Sequence, residues 1–293
     1  MRRTTICCFC LLLLSPAFLA AETPLVPRGP AAQVNGAGAD SSDGEAPVPA
    51  LAPDGNLLVV WGTSRQSGSA ILVRRFDATG KPGPAGTVIS AGPGRQQPRI
   101  IPFAPDRFLT VWSNIVPPPL SGPRRAVGAA DTLSARLLDA TGAPLGSEVQ
   151  VDTSGLGAYE PLLAALPGGG AVAVWESNRL AGRLFNAAGQ PVGTEIDIAP
   201  SCQARTVALS GFPGGGFLPL WLATSDAPGS PCVGIQGRLF GADGKPVTDL
   251  LHIPYAPAMA VAPNGSFLAL TSAPLGTSPT RATARPAPAT PCS

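Results

Sequence analysis

The reactive side chains of this sequence give little support for nucleophilic catalysis. The sequence contains one histidine, His252, and no G-x-S-x-G segment. A Ser-His-Asp mechanism needs a histidine base beside a positioned serine. We therefore expect a structural or surface role for His252 and no hydrolase triad.

Two carboxylates and two other polar side chains occupy equivalent places in the sequence. Glu45, Gln97, Glu160 and Arg205 each stand just before an apolar segment. Two carboxyl groups that flank a glycosidic bond can act as general acid and general base. Glu45 and Glu160 are therefore candidate catalytic residues of a polysaccharide-active glycoside hydrolase or lyase. Gln97, Glu160 and Arg205 suit the binding of a polar ligand equally well.

Acidic and amide residues also recur in tight turns, at Asp77, Asp139, Asn186 and Asp243. A calcium loop needs several oxygen ligands within one segment, whereas each of these turns has one such side chain beside glycine and proline. Turn formation explains these residues better. The spacing of cysteine and histidine gives no zinc site. The sequence thus predicts neither a metal nor another cofactor.

The segments that carry these residues belong to a repeated unit. Each unit has an apolar strand ending in tryptophan, a third strand with arginine near its end, a glycine-containing turn and a short fourth strand. Repeats of roughly 40 to 50 residues with four short strands are typical of propeller blades, which must stack to be stable. The tryptophans, which we expect to fill the layers between units, are Trp61, Trp112, Trp175 and Trp221. The arginines, which we expect to stack on them, are Arg75, Arg136, Arg183 and Arg238.

Four complete units and an incomplete fifth unit predict an all-β fold, a five-bladed β-propeller of four-stranded blades. The fifth unit begins near residue 257, and residues 33–35 form a spare outer strand near the N-terminus. Pairing between the two would close the ring and remove open sheet edges. Glu45, Gln97, Glu160 and Arg205 would then surround one mouth of the central channel.

The best-preserved copies of the unit are residues 216–221 with 238–246 and residues 170–175 with 183–191. They resemble the Gly-Gly-Phe-x-Val-x-Trp and Arg-x-Phe-Asp-x-x-Gly-x-Pro-x-Gly repeats of a group of uncharacterised secreted bacterial propeller-like proteins. The resemblance covers residues 32–272. It implies an extracytoplasmic β-propeller and little about chemistry.

The N-terminus has the features of a secretory signal. Arg2 and Arg3 precede a short apolar stretch and small residues, so residues 1–21 are predicted to be a cleaved signal peptide. An extended lead-in over residues 22–31, the propeller over 32–272 and a Pro/Thr/Ala-rich tail over 273–293 follow. We expect a secreted or periplasmic protein without a membrane span, because no later stretch has the roughly 20 apolar residues that a span needs.

The net charge of the mature chain gives no support for nucleic-acid binding. Removal of Arg2 and Arg3 leaves basic and acidic residues in equal number, so the chain lacks the basic footprint of a nucleic-acid-binding protein.

Cys202 and Cys232 lie in loops that we expect to open on the same face of one blade. In an oxidising compartment this predicts a disulfide between them, with a stabilisation of about 3–4 kcal/mol. Cys292 is left over.

The main functional interpretation is a monomeric, non-enzymatic binding or scaffold propeller that recognises a glycan, a protein or a cell-envelope component. Its recognition elements would be the long loops over residues 115–131 and 224–232, on the same face as the channel mouth. The alternative is the glycoside hydrolase or lyase that uses Glu45 and Glu160. Clustered carboxylates at the mouth favour the enzyme, whereas an apolar or plugged channel favours the binding protein.

Overall fold

The computed structural model describes residues 34, 47–65, 68–104, 106–115, 131–199, 203–212, 214–224, 234–253, 258–261 and 267–270. All of them belong to one compact unit, Gln33–Ser293. The predicted signal peptide, lead-in and tail lie outside these ranges, as do Glu45, Cys202, Cys232 and Cys292. No helix in the described ranges is long and apolar enough to cross a membrane.

Four four-stranded sheets make up most of the described chain, in agreement with the predicted all-β class. Sheet 1 contains β1 (Val48–Leu51), β2 (Leu57–Arg65), β3 (Gly68–Phe76) and β4 (Thr87–Gly92). Sheet 2 contains β5 (Arg95–Ala104), β6 (Arg107–Asn114), β7 (Thr132–Asp139) and β8 (Pro144–Gln150). Sheet 3 contains β9 (Tyr159–Leu166), β10 (Gly170–Glu176), β11 (Leu180–Phe185) and β12 (Pro191–Ala199). Sheet 4 contains β13 (Gln203–Gly211), β14 (Phe217–Thr224), β15 (Gly234–Gly237) and β16 (Leu251–Ile253), and β17 (Ala258–Val261) pairs with β18 (Phe267–Leu270).

Each four-stranded sheet is built in chain order from antiparallel neighbours. Consecutive sheets meet through their first strands: β1 contacts β5, β5 contacts β9, and β9 contacts β13. The beginnings of these strands therefore come together on one side of the assembly of sheets. The candidate polar residues Gln97, Glu160 and Arg205 lie at or near these beginnings.

The core consists of apolar layers between consecutive sheets. Trp112 of sheet 2 packs with residues of sheet 1, including Leu58 and Ile71. Trp175 packs with residues of sheet 2, and Trp221 with residues of sheet 3. All three side chains are almost fully buried. These three tryptophans thus fill the layers between units, as the repeat predicts.

The tight turns after the third strands explain most of the recurring acidic residues. Oδ1 of Asp77 accepts hydrogen bonds from the N–H groups of Thr79 and Lys81, at 2.9 and 3.0 Å. Asp139 makes the equivalent bonds in sheet 2. Asp243 differs, because Gly241 stands in the place of Asp77 and Asp243 in the place of Thr79. These side chains make turns, and the described residues contain no group of three or more side chains that could hold a metal ion.

The recurring arginines bind backbone carbonyl groups, so the expected stacking on tryptophan is wrong. Nη1 of Arg183 donates to the carbonyl oxygen of Val151 at 2.8 Å, and Arg136 donates to that of Ile89. In sheet 1 the equivalent residue is Arg74 rather than the expected Arg75. Its Nη1 donates to the carbonyl oxygen of Val34 at 3.2 Å.

Candidate functional site

Two strained residues mark the beginnings of β5 and β9. Gln97 has a φ of 54° and Glu160 a φ of 49°, and no other described non-glycine residue has a positive φ. This backbone region costs a non-glycine residue about 1–3 kcal/mol. Each residue lies in a bulge, where the pairing with the neighbouring second strand shifts. Pro98 and Pro161 follow them, and a proline without an N–H group is tolerated at such interruptions of a strand ladder.

The side chain of Gln97 connects sheet 2 to sheet 3. Its Oε1 accepts a hydrogen bond from the backbone N–H of Glu160 at 2.9 Å. The same oxygen accepts a second bond from the hydroxyl of Ser113, on β6, at 3.1 Å. Gln97 therefore contacts the backbone of Glu160 directly.

The Glu160 side chain points toward sheet 4. Its Oε2 lies 3.6 Å from Nη2 of Arg205, on β13. Both side chains are accessible, since 39% of the Glu160 side chain and 71% of the Arg205 side chain are exposed. An ion pair this open to water adds at most about 1 kcal/mol to stability. Its accessibility makes it more relevant to ligand contact than to folding.

A second carboxylate, Glu176, approaches the same arginine from the end of β10. Its Oε2 lies 3.9 Å from Nε of Arg205, but only 6% of its side chain is exposed. Its Oε1 accepts hydrogen bonds from the N–H and the hydroxyl of Thr206, at 2.8 and 3.1 Å. Glu160, Glu176 and Arg205 thus form a cluster of two carboxylates around one guanidinium.

The two carboxyl groups of this cluster have different surroundings. Burial raises the pKa of Glu176 above its ordinary value, and the charge of Glu160 raises it further. The Thr206 donors and Arg205 offset only part of this rise. A buried carboxyl with a raised pKa beside an accessible carboxyl is the usual arrangement for an acid and a base with different roles.

Tyr159 precedes Glu160 and pairs with Glu176 across β9 and β10. Burial raises the pKa of its hydroxyl, and the nearby charges of Glu176 and Glu160 add to this effect. The hydroxyl therefore stays protonated at neutral pH. It can donate a hydrogen bond, and it is poorly suited to act as a base.

The structure brings two of the sequence candidates into contact and connects a third. Glu160 and Arg205 form an ion pair, and Gln97 binds the Glu160 backbone. Glu45 lies outside the described residues, and so does the predicted Cys202 to Cys232 disulfide. His252 is exposed on β16, opposite Gln236. Its place in an outer strand agrees with a surface role.

Sequence reasoning missed Glu176. The residue directly follows Trp175, at the end of the strand that the repeat assigns to the core. Its equivalents after the other three tryptophans are Gly62, Ser113 and Leu222. Only this copy of the repeat has a charged residue after tryptophan, and that difference could have indicated a functional role for Glu176.

A separate charged network lies at the outer edge of sheets 2 and 3. Glu195 on β12 accepts hydrogen bonds at Oε1 from the N–H groups of Thr153 and Ser154, and Arg179 contacts its Oε2 at 3.3 Å. Burial raises the pKa of Glu195, but these backbone donors outweigh burial and leave it below its ordinary value. The network ties the connection between β8 and β9 to an outer strand and is structural.

Comparisons with known proteins gave structural similarities only. No protein-family model and no curated protein match the chain. An α-L-arabinanase from Penicillium chrysogenum aligns over 78% of this chain and 75% of its own, with 14% identity and a TM-score of 0.48. A glycoside hydrolase of the GH130 family of mannoside phosphorylases, which targets β-1,2-mannosidic linkages in Candida mannan, aligns over 73% and 71%, with 13% identity and a TM-score of 0.44. A eukaryotic initiation factor aligns over 77% and 48%, with 11% identity and a TM-score of 0.43.

At these identities the similarities concern the fold. The expectation of a non-enzymatic binding or scaffold protein is contradicted by the structure, because two carboxylates, Glu160 and Glu176, cluster at Arg205. Clustered carboxylates agree better with the alternative, a glycoside hydrolase or lyase. The structure does not test the pair Glu45 and Glu160, because Glu45 lies outside the described residues. Within the described residues, the carboxylate that shares Arg205 with Glu160 is Glu176.

Proposed function

We propose that the protein is an extracytoplasmic glycoside hydrolase that cleaves a polysaccharide with Glu160 and Glu176. One observation carries the proposal. Both carboxylates lie against Arg205, at 3.6 and 3.9 Å, where the beginnings of the first strands meet. The guanidinium permits the two acidic groups to approach one another without full repulsion.

The surroundings of the two carboxyl groups assign their roles. Glu176, which is buried and has a raised pKa, is the general acid that protonates the glycosidic oxygen as the bond to the anomeric carbon breaks. Thr206 occupies its Oε1, so the transferred proton resides on Oε2. Glu160, the more exposed carboxylate, either takes a proton from the attacking water or attacks the anomeric carbon itself. A separation near 5 Å gives the second route and retention of configuration, and roughly 6.5–9.5 Å gives the first and inversion.

Hydrolysis fits this cluster better than elimination. A lyase acting on a uronate needs a base and a cation that neutralises the substrate carboxylate. Tyr159 holds its proton because its pKa is raised. Arg205 already faces two carboxylates, which repel an anionic sugar. We therefore propose a neutral glycan as the substrate.

The proposal includes a five-bladed propeller whose ring is closed by the N-terminal strand. Support comes from the contact between Arg74 and the carbonyl group of Val34. Arg136 and Arg183 make the same contact with the outer strand region of the preceding sheet, at Ile89 and Val151. This equivalence supports the assignment of Val34 to the outer strand of a blade before sheet 1.

The test is a screen for reducing-end release from neutral and acidic polysaccharides by the mature protein. The expected result is cleavage of a neutral glycan, with at least about a hundredfold loss of kcat in Glu160→Gln and in Glu176→Gln. Glu148→Gln, a matched change on β8 that affects a carboxylate paired with Arg95, should retain full activity. Equal activity in all three variants would overturn the assignment. Unsaturated products from an acidic polysaccharide would indicate a lyase instead.

A further inference from the structure

Gln97 has a strained backbone with a positive φ. A glycine at this position would adopt the same backbone conformation without strain. Its φ is 54°, and its side chain reaches across to the next sheet. The amide oxygen accepts one bond from Ser113 of its own sheet and one from the N–H of Glu160. The strained residue of sheet 2 thus binds the strained residue of sheet 3.

The N–H of Glu160 needs an acceptor because the bulge interrupts the ladder at this point. Val174 pairs with Leu162 and Glu176 with Tyr159, so Glu160 has no partner in the register of β9 with β10. A shift of one residue in a strand turns its side chains to the other face. The direction of the Glu160 carboxylate therefore depends on this local backbone conformation.

We propose that Gln97 is a positioning residue that holds the backbone of Glu160 in the left-handed region, so that the Glu160 carboxylate meets Arg205. The catalytic consequence rests on the function proposed above for Glu160. The positional claim does not, because it concerns only the contacts among Ser113, Gln97, Glu160 and Arg205. This also changes the role predicted for Gln97, from contact with a ligand to support of a residue that makes such contact.

The experiment compares three substitutions in the full mature chain. Gln97→Gly removes the acceptor and also relieves the strain, so the fold is retained. Gln97→Glu keeps an acceptor at the same place. Gln96→Gly repeats the first change one residue earlier on the same strand and serves as the matched control.

Amide hydrogen exchange at Glu160, followed by NMR, is the first readout. The expected result is an acceleration of about tenfold or more in Gln97→Gly, with Gln97→Glu and Gln96→Gly close to the unmodified protein. Unchanged exchange in Gln97→Gly overturns the proposal, and so does an equal acceleration in Gln96→Gly. If Gln97→Gly disturbs exchange throughout the sheets, Gln97→Leu, which also lacks an acceptor, must show the acceleration confined to Glu160.

Kinetics on a cleaved glycan are the second readout. The expected result for Gln97→Gly is a fall in kcat of about tenfold with KM little changed, and recovery in Gln97→Glu, because misplacing a reacting group slows chemistry more than binding. If the unmodified protein is an active hydrolase, normal kcat in Gln97→Gly overturns the catalytic consequence of this positioning. Accelerated exchange in a protein that cleaves no glycan supports positioning and refutes the proposed function.

Discussion

The N–H and the hydroxyl of Thr206 both donate to Oε1 of Glu176, at 2.8 and 3.1 Å. Thr206 lies on the first strand of sheet 4, and Glu176 at the end of the second strand of sheet 3. The two donors hold the carboxyl group across the junction between the sheets. They also favour its ionised form, and thereby oppose the effect of burial on its pKa.

Thr206→Val should move the pH dependence of the proposed reaction. Valine keeps the backbone donor but lacks the hydroxyl, so the pKa of Glu176 should rise further. A general acid then remains protonated to higher pH, and the alkaline limb of the kcat/KM profile should shift upward. The profile of the variant measures this directly, with Thr206→Ser as the control that restores the hydroxyl. A downward shift, or the same shift in both variants, would contradict the role given to Thr206.

Glu176→Gln should abolish the acid function while sparing the fold. We expect kcat to fall by about a hundredfold or more, since the amide cannot supply the proton. The amide oxygen can still accept the bonds from Thr206. Far-UV circular dichroism and denaturant unfolding should therefore show an intact protein, and loss of folding would show that Glu176 is structural instead.

The same substitution predicts a pH-dependent gain in stability. Folding raises the pKa of Glu176 above its ordinary value of 4.5, so ionising it costs the folded state more than the unfolded state. Its contribution to the free energy of unfolding falls as pH rises from 4.5 through the folded pKa. The glutamine variant lacks this penalty. The stability of Glu176→Gln relative to the unmodified protein should increase over that interval, and urea titrations at several pH values measure it.

The repeat explains why much of this arrangement could be expected from the sequence. Glu160 and Arg205 were identifiable because equivalent first strands begin beside them, and such strands meet in the structure. Glu176 was not, because a position after tryptophan in an apolar strand is ordinarily part of the core. Arg74 and Arg75 are adjacent, and a pattern alone does not distinguish the one that reaches the carbonyl group of Val34. The hydrogen bond from the N–H of Glu160 to Gln97 joins two sheets, and no local pattern encodes such a contact.

Glu195→Gln should destabilise the protein most at neutral pH. Burial opposes the ionised form of Glu195, but the hydrogen bonds that Thr153 and Ser154 donate outweigh burial and lower the pKa of Glu195. Its stabilising contribution is therefore present above its unfolded pKa and disappears as pH falls through the folded one. Losing charged hydrogen bonds in a side chain that is only 6% exposed should cost about 1–3 kcal/mol at pH 7. Equal destabilisation at pH 7 and at pH 3 would contradict this explanation.

Gly94→Ala should be strongly destabilising. A Cβ at this position would lie 1.7 Å from the carbonyl oxygen of Ile115, whose N–H is bonded to the Gly94 carbonyl group. We expect a loss of more than about 3 kcal/mol in the free energy of unfolding. Gly80→Ala is the control, since Gly80 has a similar positive φ but open space around it. That variant should lose only about 1 kcal/mol in the free energy of unfolding. Equal losses in the two variants would show that backbone strain, and not the clash with Ile115, causes the destabilisation.

Arg74→Leu tests whether the N-terminal segment belongs to the proposed ring of sheets. Arg74 binds the carbonyl groups of Val34 and Gly83, so it joins the segment around Val34 to sheet 1. Losing these bonds should lower the free energy of unfolding by about 1–3 kcal/mol. It should also accelerate amide exchange at residues 33–35, which exchange mass spectrometry detects. Arg75→Leu is the matched control, because Arg75 binds Asn56 within sheet 1. If both variants leave residues 33–35 equally protected, the N-terminal segment is held by something other than this arginine, and the closure proposed for the ring loses its support.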